Sequence, residues 1–307
     1  MIIVGGGPAG LAAGLYAARM DLKTVLVDRG PLGGQLLNTE LIEDYLGFES
    51  ITGAELAAKM AGHARRFGLE AHEFRPVSGI HVEGGIKVAR MEYGGELRAP
   101  ALILATGGLP RRLGVPGEVE LAGRGVSYCA ICDGAFFKGK ELAVIGGGDA
   151  ALEEGDFLTR YATRVHIIHR RDRFRAQPLL QERARRNPRI DMIMDARVQE
   201  IVGAGAVEAV RFERDGQVED LPLQGVFIFA GFLPNSGLLK VHAEHDASGY
   251  LVTDGAMRTS VDGIWAVGDV RAQLTRQIST AVGDGTTAAV SASAHIERLH
   301  DTRRQAA

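Results

Sequence analysis

Residues 2–10 read Ile2-Ile3-Val4-Gly5-Gly6-Gly7-Pro8-Ala9-Gly10, a short apolar run with β character followed by a GxGxxG turn. An Ala- and Leu-rich stretch to Met20 then reads as a helix, and Lys23–Asp28 is strand-like and ends on an acid. Strand, glycine turn, helix and a second strand with a terminal carboxylate form the register of a dinucleotide-binding unit. Each glycine has a task there. Gly5 permits the tight turn, Gly7 lets backbone approach a pyrophosphate, and Gly10 packs helix on strand. The phosphates would face a helix N-terminus, and Asp28 would accept hydrogen bonds from the free hydroxyls of a ribose.

The construction occurs twice. Leu142–Ile145 is a second apolar run, Gly146-Gly147-Gly148-Asp149-Ala150-Ala151 a second turn, and a helix-like stretch to Tyr161 leads into the strand Arg164–His169. Gly5 and Gly146, Gly10 and Ala151, Asp28 and His169 are each 141 positions apart, so the chain carries two copies of one nucleotide-binding unit. The copies differ where such units distinguish their ligands. Copy two replaces the acid with His169 and follows it with Arg170, Arg171, Asp172, Arg173, Phe174 and Arg175. A cluster of guanidinium groups suits a 2′-phosphate, which an acid would repel. Copy two, through Gly146, Gly148, Ala151, His169, Arg170, Arg171 and Arg175, is therefore read as an NADPH site, and copy one as the site of a different adenine dinucleotide.

The chain has 307 residues, with 35 Lys+Arg against 38 Asp+Glu for a formal net charge of −3. At roughly 100–200 residues per domain this length suggests two domains. There is no dominant basic footprint for nucleic acid. No run approaches ~18 apolar residues, and the N-terminus lacks a charged n-region and an h-region. Neither a nucleic acid nor a membrane is expected as a partner.

Copy one continues through Gly33-Gly34-Gln35-Leu36, a helix-like run over Gly53–Phe67, β-rich segments over 74–99, and a strand at Leu102–Leu104 that stops at Ala105-Thr106-Gly107-Gly108. Two passages rich in glycine and proline, 107–117 and 231–237, then bracket the whole of copy two. The architecture expected is α/β, with copy two as a domain inserted into the first: residues 1–110 and 238–307 form one domain and 111–237 the other. The returning segment carries Gly263–Asp269, read as a strand ending on an acid. Arg276-Gln277 and a helix with the small residues Ala281, Gly283 and Gly285 follow. An acid at a strand end in such a sheet lies where ligands bind and can accept from sugar-alcohol hydroxyls.

The only two cysteines form one CxxC, Cys129-Ala130-Ile131-Cys132, followed by Asp133. Two thiols cannot make a four-thiolate zinc site within one chain, and no metal is expected. At this spacing they can close and reopen a small-ring disulfide, one thiol attacking and the other resolving. Asp133 is either a proton donor to a leaving thiolate or a helix cap. A dithiol and a hydride carrier need a two-electron mediator between them. Flavin does that work, which makes copy one's ligand FAD.

With these residues in order, the chain resembles the low-molecular-weight thioredoxin reductases, class II pyridine nucleotide-disulfide oxidoreductases, over essentially its whole length. The stretches that carry the likeness are 5–10, 33–36, 105–108, 123–134 (GRGVSYCAICDG), 146–154, 169–175, 268–270 and 276–285. The resemblance implies a cytoplasmic homodimer with two Rossmann-like domains of the three-layer ββα type, the NADPH domain inserted into the FAD domain. It implies that Cys132 faces the flavin, that Cys129 attacks the disulfide of thioredoxin or a thioredoxin-like protein, and that Asp133 protonates the outgoing thiolate. By the same likeness Gly5, Gly7, Gly10, Asp28, Gly33, Gln35, Asp269, Arg276, Gln277 and Ala281 hold FAD, and the inserted domain rotates on its connectors to serve flavin with each substrate in turn. Leu46 departs from the pattern, standing where the family commonly has Pro. Alternative readings of this chain are a related FAD dithiol oxidase, a reductase of another disulfide partner, or a flavin-binding redox sensor without turnover.

Overall fold

The computed structural model describes residues 1–39 and 41–306, leaving aside the side chains of 41, 131, 132, 232, 300 and 303–306. The chain divides into two units, Met1–Leu109 with Leu233–Ala307, and Pro110–Phe232.

In the first unit the strands Ile2–Val4, Leu102–Leu104 and Ile264–Ala266 are three residues long and buried throughout, as parallel strands covered on both faces must be. The sheet runs Ile264–Ala266, Leu102–Leu104, Ile2–Val4, Val25–Val27, Glu70–His72, all parallel. Alternation of side chains along a strand splits its core in two. Ile3, Ile103 and Trp265 pack with Leu11, Ala13 and Ala17 of helix Pro8–Arg19 and with Ala288, Ala289 and Ala292 of helix Ile278–Ala306. Ile2, Val4, Leu102 and Leu104 pack instead with Ile80 and Ala89, from an antiparallel meander of Val77–Glu83, Ile86–Met91 and Glu96–Ala99. The two helices meet at small residues: a Cβ on Gly285 would overlap the Ala9 carbonyl oxygen.

The second unit repeats this layering. Its parallel sheet runs Val126–Ser127, Gly225–Phe229, Glu141–Gly146, Arg164–Ile168, Ile190–Ile193. Leu142, Val144, Val165, Ile167 and Phe227 face Leu152 and Leu158 of helix Asp149–Leu158 and Leu180 and Ala184 of helix Pro178–Arg186. Ala143, Ile145, Val226 and Ile228 face Ile201, Val210 and Phe212 of the meander Arg197–Val202, Ala209–Arg214, Gln217–Pro222.

The strand expected over Gly263–Asp269 is shorter than read. It spans Ile264–Ala266, and Gly268–Val270 is a 3-10 turn. Gly268, at φ +67°, leaves the extended conformation and carries Asp269 past the end of the sheet.

Candidate active site

The first glycine turn is closed by backbone against backbone. Gly5 has φ +110°, and a Cβ there would overlap the Ala105 carbonyl; a Cβ on Gly10 would overlap the Gly5 carbonyl oxygen. Gly7 is the N-cap of helix Pro8–Arg19, with Pro8 at the first position, no side-chain cap and no acid in the first turn. The positive end of this helix is therefore not neutralised by a local carboxylate. Asp28 accepts from the Gly6 N–H at 2.6 Å through Oδ2 and from the Gly30 N–H at 2.8 Å through Oδ1. Each oxygen keeps a second lone pair for a hydroxyl. Gly33 donates its N–H to the Gly6 carbonyl at 2.8 Å, and a Cβ on Gly34 would stand 3.0 Å from the Gly7 Cα. Leu32 N–H is held by Glu73 at 2.9 Å, and exposed Gln35 reaches the Gly108 carbonyl through Nε2 at 3.3 Å.

Asp269 is partly buried and its carboxylate has no hydrogen-bond partner among the described residues. Burial pushes this carboxyl above the usual carboxylate range, with Arg276 opposing and Asp284 reinforcing the shift. Buried Asp284 accepts from the Gly268 N–H at 3.1 Å and from Arg271 at 3.2 Å. Ala281 is buried beside Gly268, whose Cβ would lie 3.6 Å from that of Ala281 and 3.1 Å from that of Ala9. Arg276 lies 4.1 Å over the Tyr250 ring, and the Gln277 N–H donates to Thr280 at the start of the long helix. Asn235 donates to the Thr106 carbonyl at 2.9 Å and accepts from Thr106 Oγ1 through its own carbonyl at 3.0 Å, tying the ATGG segment to the returning chain.

The second turn is built differently. Gly146 is required because its Cβ would stand 2.5 Å from the Phe229 carbonyl oxygen and 2.7 Å from the Ala151 Cβ. A Cβ on Gly147 would overlap the His169 ring, so His169 lies inward beneath the turn, buried and 5.4 Å from the Phe174 ring. Burial holds its imidazole below the usual histidine range, and its Nε2 has no hydrogen-bond partner. Around Gly148, the N-cap of helix Asp149–Leu158, there is open space. Asp149, in the first turn, is engaged by Gln177 through its N–H at 2.7 Å and its Nε2 at 3.2 Å. The Arg175 N–H donates to the Gly147 carbonyl at 2.7 Å, which folds the basic loop back onto the turn. Arg170, Arg171 and Arg175 are exposed and make no ion pair among the described residues.

Cys129 is disulfide-bonded and follows the edge strand Val126–Ser127; the side chain of Cys132 lies outside the described residues. Buried Ser127 donates to Asp133 Oδ2 at 2.6 Å and accepts the Cys129 N–H at 3.0 Å. Tyr128 donates to buried Glu118 at 2.6 Å, which also accepts the N–H groups of Leu113 and Gly114. Ser127 pairs in register with Phe227, and Gly146 with Phe229, on the same sheet. All five strands are parallel, so the dithiol segment and the second glycine turn leave one edge of the sheet, a single strand apart. That is roughly 10 Å in the sheet plane.

Residues 1–285 match the pyridine nucleotide-disulphide oxidoreductase family. The chain belongs to that family. It is 47% identical over 305 residues to a thioredoxin reductase of Listeria innocua, covering 98% of this chain and 95% of the relative. It is 45% identical over 313 residues to one from Bacillus subtilis, covering 98% and 96%. The crystal structure of Lactococcus lactis thioredoxin reductase superposes with a TM-score of 0.94 at 43% identity, covering 97% of this chain and 98% of that one. The fold is thus two Rossmann-like domains of the α/β class, and the family uses a flavin and a pyridine nucleotide.

The residues fit those groups. Two glycine turns leave helix N-termini uncapped by side chains, Asp269 presents an unpartnered acceptor, and three arginines stand unpaired on a loop tied to the second turn. Ser127, Glu118, Asn235 and Asp284 were not singled out by the sequence reading. Only Ser127 carried a local signal, a hydroxyl two residues before the first cysteine and six before the acid. No helix of the described residues is long and apolar enough to cross a membrane.

Proposed function

We propose that the protein is an NADPH-dependent thioredoxin reductase, and that the observation carrying this reading is the disulfide of Cys129 beside a nucleotide turn with an unpaired arginine cluster. The net reaction consumes NADPH, a proton and a protein disulfide, and yields NADP⁺ and two thiols. Bound FAD supplies the two-electron link between a hydride donor and a disulfide. The turn Gly5–Gly10 receives its pyrophosphate, Asp28 its ribose, and Gly33, Gln35, Asp269, Arg276, Gln277 and Ala281 line the rest. Gly146, Gly148 and Ala151 receive the pyrophosphate of NADPH, His169 supports the turn from beneath, and Arg170, Arg171 and Arg175 clasp the 2′-phosphate.

With Cys132 as its partner, Cys129 is the attacking thiol. Its thiolate attacks one sulfur of thioredoxin, the substrate S–S bond breaks, and Asp133 gives a proton to the departing thiolate. Cys132 then attacks the Cys129 sulfur, closes the enzyme disulfide and releases the second thiol. Left-handed glycines in the connecting segments, Gly107 at φ +58° and Gly231 at φ +106°, give the chain freedom to turn there. The domain limits 1–110, 111–237 and 238–307, a homodimer and a cytoplasmic location belong to the same reading.

Adding NADPH anaerobically and then oxidised thioredoxin, while following flavin absorbance near ~450 nm, tests it. Bleaching followed by recovery on thioredoxin is expected. Bleaching without recovery would overturn the partner, and no bleaching the NADPH assignment.

A further inference from the structure

We propose that Ser127 is a positioning residue for disulfide reduction, holding Asp133 against the Cys129 segment both before and after the acid gives up its proton. This rests on the reading of Asp133 as proton donor. Ser127 is 4% exposed, at the end of the edge strand. Its oxygen touches three groups: Asp133 Oδ2 at 2.6 Å, the Cys129 N–H at 3.0 Å and the Cys129 carbonyl at 3.2 Å.

A hydroxyl has one proton and two lone pairs. Against ionised Asp133, the Ser127 O–H donates to the carboxylate, and one lone pair accepts the Cys129 N–H. Against protonated Asp133, the direction reverses: the acid donates to Ser127, and the serine proton turns to the Cys129 carbonyl. Every group stays satisfied in both states without movement of a heavy atom. A carbonyl or an ammonium in this place could satisfy only one of them. Leaving the buried end of this network unmade would release the acid from its place, since an unmatched buried polar group is unfavourable. The Cys129 N–H fixes the serine to the backbone of the attacking residue, so the acid is aligned with the sulfur it serves.

The test compares Ser127→Val with Ser127→Thr, which share a shape and differ in the hydroxyl, in the holoenzyme with NADPH and thioredoxin. Proton transfer by a placed acid contributes ~10²–10⁴-fold, and loss of its positioning is expected to lower kcat about tenfold with KM for thioredoxin unchanged. Ser127→Thr is expected to retain most of the rate. In an Asp133→Asn background, Ser127→Val is expected to lower kcat no further, because its effect passes through the acid. An equal fall in both backgrounds, or equal rates for the Val and Thr variants, would overturn the proposal. The comparison is repeated with protein reduced by dithiothreitol, freed of reductant and offered 2-hydroxyethyl disulfide, an alkyl disulfide whose leaving thiolate needs a proton. That arm uses neither NADPH nor thioredoxin. A Val–Thr difference there, with no thioredoxin turnover by the unaltered protein, would sink the functional reading while upholding the role of Ser127.

Discussion

The two glycine turns share a spacing of strand, turn and helix, yet they are completed by different side chains. In the first, the carboxylate of Asp28 gathers the N–H groups of Gly6 and Gly30, and a Cβ at Gly10 has no room. In the second, the neutral ring of His169 fills the space under Gly147, and Ala151 carries its Cβ where Gly10 has none. A side chain fills the space beside the middle glycine in both, Leu32 at Gly6 and His169 at Gly147, but only in the first does a carboxylate gather the turn's own N–H groups. An acid that is part of the turn's own scaffold excludes a nearby phosphate, whereas a buried neutral ring leaves the surface to the arginines. Under the proposed assignment of the two sites, discrimination between nucleotides follows from how the turn is supported as much as from what it presents.

The sharpest way to break this contrast is to exchange the residues at the third glycine position. Gly10→Ala is expected to destabilise the first unit by about 3 kcal/mol, because backbone must move to admit the methyl group, and to yield protein without flavin. Ala151→Gly should cost only about 1 kcal/mol. Thermal unfolding and flavin absorbance of the two variants check this, and similar losses would remove the distinction.

Next in size, replacing Arg170, Arg171 and Arg175 together by Ala is expected to raise KM for NADPH roughly 100-fold, about 2.8 kcal/mol at 1.4 kcal/mol per decade. KM for NADH should hardly move. Steady-state kinetics with both cofactors decide it, since an equal rise would make the cluster a general anion surface. Asp28→Asn is expected to cost about 2 kcal/mol, because an amide presents one acceptor where two N–H groups need one each. Flavin dissociation measured by fluorescence should be faster, and an unchanged rate would deny Asp28 its role.

The smallest effect is on pH dependence. Burial lowers the His169 pKa in the folded chain from an ordinary value of 6.5. The unfolded chain therefore binds a proton first as pH falls below 6.5, and the stability that His169 contributes above that pH is lost on acidification. Melting temperatures at pH 7.5 and 5.5 should differ less in His169→Gln than in the unaltered protein. A wider gap in the variant would reverse the sign.

What could be read in advance followed from local pattern. The turns, their flanking strands and the cysteine pair are contiguous, so their spacing states their geometry. Glu73 and Asn235 act across the chain: Glu73 reaches Leu32, 41 residues away, and Asn235 reaches Thr106, 129 residues away. Nothing in a window around either residue signals such a partner. Asp284 shows the same limit at closer range. It lies among small residues whose importance was read from their size, while its carboxylate caps Gly268 and pairs with Arg271. His169 is expected among the residues of the NADPH site, and its burial under Gly147, an aromatic ring filling the space where a glycine has no Cβ, is a detail that sequence spacing does not show.

The interrupted first unit also sets an order of assembly at the ribosome. Pro110–Phe232 is continuous and complete in its own strands, whereas the sheet of the first unit waits for Ile264–Ala266 and helix Ile278–Ala306. At about 5–20 residues per second, the interval between translating Leu109 and Ile264 is roughly 8–30 s. During that time Ile3 and Ile103 lack the helix that covers them. The inserted unit is thus the first to have all of its strands synthesised, and on the proposed assignment capture of the flavin belongs to the last seconds of synthesis.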